Sequence, residues 1–367
     1  MRLGLMIEGF WKDGKIERSL EVENFIPWFA ENNEETFIIN LLDSPFSGDH
    51  VHVTEASSGS QSYIPIASLD VVYYGITGQK INLPDGSLNS LDENMELISE
   101  SLDILSRYPS VRISNPVETM LFGISKDYLF TLKANDIPIV DTTNIASKDD
   151  LRHVVANTSD YVIKPKIAER GNGSVMSWEL DDDRKIRDYA KRFLYDVPAR
   201  GSSFLERIRS RQGLIAQRFN RFFTTIGEKK VYYVNGRITV SRRNEPTVSC
   251  DSASLDFRKG LVERIYEPTD DEKRFVYDLA ETLQSIGLDI DYFRADIIGD
   301  GTYDTIRLNE LELINPCSSA GHNPSNPKTA NPKYPEEIVD MHNTSLLDAF
   351  WARCATTEIL EVREWTR

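Results

Sequence analysis

The chain has 367 residues, 40% of them hydrophobic, with 42 basic against 58 acidic side chains and a formal charge of −16. That length exceeds one simple core and calls for two or three packed units of a globular protein. The acidic balance excludes bulk attraction to nucleic acid or to an anionic membrane, so an anionic ligand must be held by a local basic cluster.

The opening residues, MRLGLMIEGFWKDGK, carry an apolar run that stops at Glu8, too short for a secretory signal or a membrane span, and predict a buried first strand. Cys250, Cys317 and Cys354 are widely spaced and include no CxxC pair. They indicate neither a disulfide framework nor a zinc site, and the cytoplasm is the expected compartment.

Residues 1–116 alternate strand-like runs (RLGLMI, FIINLL, LDVVYYGI, VRISNP) with helical stretches such as SLDENMELISESLDILSRY, which predicts a small α/β domain with a largely parallel sheet. Within it, the polar GDHVHVTEASSGSQS reads as a loop. Residues 117–212 form a second unit: one helix through VETMLFGISKDYLFTLKAN, a strand at IPIVDTT, then two strands in DYVIKPKIAERGNGSVMSWEL joined by a glycine-containing loop. Residues 213–330 contain two hairpins, KKVYYVNGRITVSRR turning at Asn235-Gly236 and RADIIGDGTYDTIRLNELEL turning at Asp300-Gly301, with a helix between them. Residues 331–367 complete a Pro/Asn-rich loop and end in an amphipathic helix. The fold class is therefore α/β followed by α+β.

Side chains alternate across a strand, so Glu310 and Glu312 share one face of their strand, and Asp296 lies on the partner strand of the same hairpin. Three converging carboxylates repel unless a cation neutralises them, and hard oxygen ligands suit magnesium. A solvated acidic face is the alternative. Lys164 precedes a loop containing Gly171, Gly173 and Ser174, where backbone N–H groups can approach phosphate oxygens. An ordinary hairpin turn beside a surface lysine has the same pattern, and neither a P-loop nor a GxGxxG fingerprint is present. Gln217-Arg218-Phe219 ends an apolar strand that could offer main-chain groups to an adenine edge, and Glu228-Lys229-Lys230 follows with an acid for a ribose and lysines for phosphate. Arg242 and Arg243 point to opposite faces of one strand, so one of them reaches a site, where an arginine can stabilise an oxyanion. Cys317 fits a small buried thiol, and His322 a loop histidine that touches substrate or is structural.

Taken in order, these segments resemble the ATP-grasp superfamily, in the branch of bacterial glutathione synthetase and the ribosomal-protein glutamate ligase. The Glu-Leu-Glu-Leu-Ile-x-Pro form is also similar to the ligase of D-cycloserine biosynthesis. The resemblance spans Arg112 to Pro316 and implies two α+β subdomains, residues 117–212 as a lid and 213–330 as the metal-bearing centre, gripping ATP between antiparallel sheets. It implies phosphate contacts from Lys126, Lys164, Gly171, Gly173, Ser174 and Lys229 or Lys230. Adenine contacts are implied for Gln217, Arg218 and Phe219, and a ribose contact for Glu228. Asp296, Glu310 and Glu312 would hold magnesium, two ions by resemblance, with manganese as a substitute; where the family commonly has Asn, this chain has Glu312.

The implied activity is ATP-dependent joining of a small carboxylate or amino acid to an amine through an acyl phosphate, with Arg243, or else Arg242, on the oxyanion. A phosphotransferase, an intramolecular cyclo-ligase and an ATP-binding regulatory protein are the competing functions. Acceptor specificity is expected in residues 43–64, 244–260 and 317–335. Oligomerisation is implied by resemblance alone.

Overall fold

The computed structural model describes residues 1–7, 10–12, 15–17, 20–33, 35–41, 44–75, 91–158, 160–167, 173–194, 204–246, 261–314 and 336–355. The first part of the chain forms β1 (Leu3–Ile7), a short pair β2 (Phe10–Lys12) and β3 (Lys15–Glu17), α1 (Leu20–Asn32), β4 (Thr36–Asn40), β5 (Phe46–Ser47), β6 (His50–Glu55), β7 (Gln61–Pro65), β8 (Val71–Gly75), α2 (Leu91–Leu105) and β9 (Arg112–Ser114). β4, β1, β8 and β9 pair in parallel, and β5, β6 and β7 extend the sheet in antiparallel fashion. β1 is buried along its whole length, as its apolar run predicts.

The segment read as a loop, GDHVHVTEASSGSQS, instead makes the β6–β7 hairpin. Its signal is the alternation His50-Val51-His52-Val53, which places both valines in the core; the flanking serines and glycines mask it in composition.

The chain continues with α3 (Val117–Gly123), α4 (Tyr128–Ala134), β10 (Thr142–Ile145), α5 (Lys148–Asn157), β11 (Tyr161–Pro165), β12 (Val175–Met176), α6 (Asp183–Phe193), α7 (Phe204–Arg209) and β13 (Leu214–Arg218). The single helix expected through residues 117–135 is thus two helices. Between them the backbone leaves helical geometry so that Lys126 N–H can donate to Lys166 O at 3.0 Å. The strand expected at IPIVDTT is also displaced. Its front half lies along the outer edge of a distant strand, with Val140 N–H donating to Leu308 O at 3.0 Å and Leu308 N–H to Pro138 O at 2.9 Å, and only Thr142 onward joins a sheet. That sheet is antiparallel, in the order β10-β13-β11-β12.

Then come α8 (Phe222–Thr225), β14 (Glu228–Val234), β15 (Arg237–Pro246), β16 (Leu261–Ile265), α9 (Asp270–Ser285), β17 (Tyr292–Ile298), β18 (Arg307–Glu312) and α10 (Glu336–Ala355). The strands form one antiparallel sheet in the order β16-β15-β14-β17-β18, with the two predicted hairpins supplying four of its five strands. Asn235 and Gly236 both have positive φ, as a tight two-residue hairpin turn requires. Odd-numbered residues of β14 and β17, among them Val231, Tyr233, Phe293, Ala295 and Ile297, pack on Phe275, Val276, Leu279 and Leu283 of α9. Burying each such side chain contributes about 1.5–3 kcal/mol. α9 begins at a capping box, Thr269 with Glu272, and carries three acids in its first turn where the helix dipole favours them.

α10 packs against the end of this sheet and against the first one, through Leu346 and Phe350 on Tyr73 and Tyr292. Among the described residues no helix is long and apolar enough to cross a membrane. His342 of α10 is 1% exposed and shares a hydrogen bond with Thr239 Oγ1 at 2.8 Å. Burial pushes its imidazole down to about 4. Below about pH 6.5 an unfolded chain takes up a proton here that the folded chain refuses until about pH 4, so stability falls as pH drops through that window. The loss from this group approaches about 3 kcal/mol at pH 4. Denaturant titrations from pH 7 to 4 will show it, and His342→Leu will flatten that part of the profile.

Candidate active site

One face of the five-stranded sheet packs on α9, and the period of two sends the other residues to the opposite face. There Arg242, Lys230, Asp296 and Glu310 stand in register across β15, β14, β17 and β18, and Tyr232, Arg294 and Glu312 form the next row. Lys230 Nζ is 2.8 Å from Asp296 Oδ2 and 3.5 Å from Glu228 Oε2. Arg294 donates to both oxygens of Asp296, at 2.6 and 2.9 Å, and reaches Glu312 Oε1 at 3.5 Å. Tyr232 lies beneath Arg242, whose guanidinium is 5.6 Å from the ring centroid.

The loop between α3 and α4 brings Lys126 to this face, with Nζ 2.9 Å from Glu310 Oε1. The four-stranded sheet supplies the facing side. Its helix-covered face buries Ile145, Ile163, Leu214 and Ala216 against α5 and α6, which leaves Lys164 and Gln217 on the other. Lys164 lies within the electrostatic reach of Glu310, Lys126, Glu228 and Asp296 across the gap between the sheets. Gln217 donates to Thr142 Oγ1 at 3.3 Å and to Asn309 O at 3.4 Å, while its buried Oε1 accepts no hydrogen bond.

Burial and charge pull these groups in opposite directions. Burial opposes ionisation of Asp296, yet Arg294 and Lys230 outweigh it and hold the carboxyl at about 2. Burial likewise penalises the Glu310 carboxylate, and Lys126 overcomes the penalty, so its pKa is lowered. For Glu312 burial wins over the attraction of Arg294 and pushes the carboxyl up to about 7. Glu228 is raised by burial despite Lys230, and Asn309 Nδ2 donates to it at 2.7 Å. Lys164 is pushed down by burial, against the pull of Glu310.

Several expected site residues lie elsewhere. Lys229 is on the core face, bonded to Glu272 and, at 3.0 Å, to Gly299 O. Arg243 is on that face as well, paired with Glu245 and lying over Tyr266. Arg242 is therefore the arginine of the pair that shares the charged face, because Arg243 is one residue out of phase with it. Arg218 is exposed and paired with Asp160 at 3.3 Å, and Phe219 stacks near Phe223. Gly173, with φ +74°, sits where a Cβ would meet Phe193 and Pro165, and half-buried Ser174 follows it. Gly171, Cys317 and His322 lie outside the described residues. Arg294 was missed, although the same period of two that groups the glutamates places it beside Asp296. Asn309 was missed too, because a register shift between Asp296 and Ile297 decides where it points.

Gly227 sets the entry to β14. Its φ is +92°, and a Cβ there would lie 1.8 Å from Asn244 O. Gly227→Ala will displace β15 from β14 and with it Glu228 and Lys230. A stability loss above about 1–3 kcal/mol is expected in denaturant unfolding, since strain and collision add.

Among the described residues no three acid, histidine or cysteine groups cluster as a metal site, because each carboxylate leans toward a cation of the chain itself. The donor set nevertheless fits magnesium in kind: hard carboxylate oxygens on one sheet face, next to lysines able to meet phosphates. The unpartnered Gln217 Oε1 fits the amino group of an adenine.

No protein-family model matches the sequence, and no match is found among curated proteins. Solved structures do match over nearly the whole chain. D-cycloserine synthetase DcsG gives a TM-score of 0.60 at 14% identity, covering 96% of this chain and 99% of its own. D-alanyl-alanine synthetase A from Vibrio cholerae gives 0.55 at 13% identity, covering 96% and 98%. The ATP-grasp ligase PsnB, solved with its minimal precursor, Mg and ADP, gives 0.51 at 13% identity, covering 96% and 98%. The chain has the ATP-grasp fold.

Proposed function

We propose that the chain is an ATP-dependent ligase that joins the carboxylate of an amino acid or other small acid to an amine, releasing ADP and phosphate. The observation that carries this reading is the in-register row of Arg242, Lys230, Asp296 and Glu310, with Lys126 paired to Glu310 at 2.9 Å and Lys164 on the facing sheet. Such a row can meet phosphates and metal together, which an ordinary solvated face has no reason to do.

Lys126, Lys164 and Lys230 bind phosphate oxygens, with backbone N–H groups near Gly173 and Ser174 assisting. Glu228 accepts from a ribose hydroxyl and Gln217 Oε1 from the adenine amino group. Asp296, Glu310 and Glu312 hold magnesium, which when bound offsets phosphate charge. A carboxylate oxygen of the acid forms a bond to the γ-phosphorus as the bond to ADP breaks. The amine then attacks the acyl carbon, Arg242 stabilises the oxyanion, and phosphate leaves. Protein groups act by position and charge rather than by forming covalent bonds. The four-stranded sheet with α5 and α6 acts as the lid, and the five-stranded sheet with α9 as the metal-bearing centre, of a cytoplasmic enzyme. The expected division at 212/213 is displaced, since β13 belongs to the first of these sheets and α4 packs on the second.

Ring closure within one substrate is a second reading, favoured by the likeness to D-cycloserine synthetase. The test is ADP release with magnesium and ATP across a matrix of acids and amines, with mass spectrometry of the products. ADP that requires both partners, with a product one water lighter than their sum, is expected for the ligase. ADP with one substrate and a product lighter by one water indicates ring closure. A stable phosphorylated product, or nucleotide binding without turnover on any substrate, overturns both.

A further inference from the structure

The two strands that carry the carboxylates, β17 and β18, are held at one end by a residue that follows the last strand of the first sheet. Asn115 follows β9 and is fully buried. Its Nδ2 donates to Tyr292 O on β17 and to Leu313 O just beyond β18, both at 2.7 Å. Its Oδ1 accepts from Asp291 N–H at 2.7 Å and Tyr292 N–H at 3.2 Å. A carboxamide has two donor hydrogens and two acceptor lone pairs, and all four are used.

The surroundings leave this side chain little freedom. Asn115 N–H donates to Tyr292 Oη at 3.2 Å, and Tyr292 Oη donates to Ser114 O or Ile314 O, at 2.9 and 3.1 Å. Leu313 is pressed from the other side by Gly123, where a Cβ would come within 2.7 Å of it. The last ladder pair before this clamp is Arg294 with Glu312, and Asp296 with Glu310 comes two residues further along.

We propose that Asn115 is a positioning residue that sets the separation and register of β17 and β18, and through them the arrangement of Arg294, Asp296, Glu310 and Glu312. This inference rests on the ligase reading of that site. The chemistry singles out asparagine: aspartate has the same shape but would turn an oxygen toward the two carbonyls, and glutamine would overreach.

The test compares Asn115→Asp with Ser114→Ala, which removes a neighbouring buried hydrogen bond, from Ser114 Oγ to Asp291, without touching Leu313. Three quantities are read on the full chain: hydrogen exchange of peptides covering 307–314, the magnesium concentration needed for half-maximal ATP-analogue binding, and kcat against KM for ATP. In Asn115→Asp, exchange is expected to speed up, the magnesium requirement to rise several-fold, and kcat to fall on the order of 10²-fold with KM for ATP within about threefold. Ser114→Ala is expected to lose stability without these changes. If Asn115→Asp fails to fold, Tyr292→Phe, which releases Ile314 O, is expected to move all three readouts in the same direction by smaller amounts. Variants that behave like Ser114→Ala at matched stability, or unchanged exchange over 307–314, overturn the proposal while the wild type stays active. A wild type that neither binds nor consumes ATP overturns the ligase reading itself, and the role of the clamp with it.

Discussion

Glu310→Gln will lower magnesium-dependent ADP release by about 10²–10³-fold, the size expected when one charge is removed from a preorganised electrostatic site. The substitution keeps the shape of the side chain. Its carbonyl oxygen can still accept from Lys126, which approaches Glu310 to 2.9 Å, and Glu310 keeps a quarter of its side-chain surface exposed, so no cavity is created and the lysine keeps an acceptor. What disappears is the negative charge that attracts a divalent cation. Circular dichroism and thermal unfolding should therefore match the wild type closely while ADP release collapses. Activity within about threefold of the wild type would place the metal elsewhere and remove Glu310 from the site.

Glu272→Ala will cost about 3–5 kcal/mol of stability, the usual result of stranding one member of a buried ion pair. Glu272 is fully buried and Lys229 is 2% exposed. Besides Lys229, the carboxylate accepts from Tyr266 Oη and from Thr269 N–H at 2.9 Å, so its removal also takes away half of the capping box of α9. Denaturant unfolding will measure the loss. Replacing both partners, Lys229→Met with Glu272→Leu, should recover much of it, because an apolar pair needs no solvation. Equal stability for Glu272→Ala and the wild type would show that the pair is solvated rather than buried. The groups proposed to bind phosphate are not involved, so ATP affinity per folded molecule should stay near the wild-type value.

These two acids show how differently a sequence exposes its purposes. The shared face of Glu310, Glu312 and Asp296 was legible because strand periodicity groups the glutamates and hairpin pairing adds the aspartate, all from local rules. The same rules predicted both hairpins, the Asn235-Gly236 turn and the first buried strand; the second hairpin does not turn tightly at Asp300-Gly301 but through the longer loop 299–306, which contains a helical turn at Tyr303–Thr305. Lys229 and Lys230 are adjacent and chemically alike, and so are Arg242 and Arg243. Only the register of β14 and β15 against β17 sends Lys230 and Arg242 to the charged face and their neighbours to the core side. A shift by one residue would exchange every one of these assignments.

By itself, then, the sequence determined the alternation that makes the strands and the residue types that can meet phosphate and metal, because these depend on near neighbours. Only the tertiary structure decided that the sheet of Lys164 meets the strand of Glu310, and that Asn115 joins β9 to both carboxylate-bearing strands. Those partners are separated by long stretches of chain, and hydrogen bonds between them have a direction and a length that no local pattern carries.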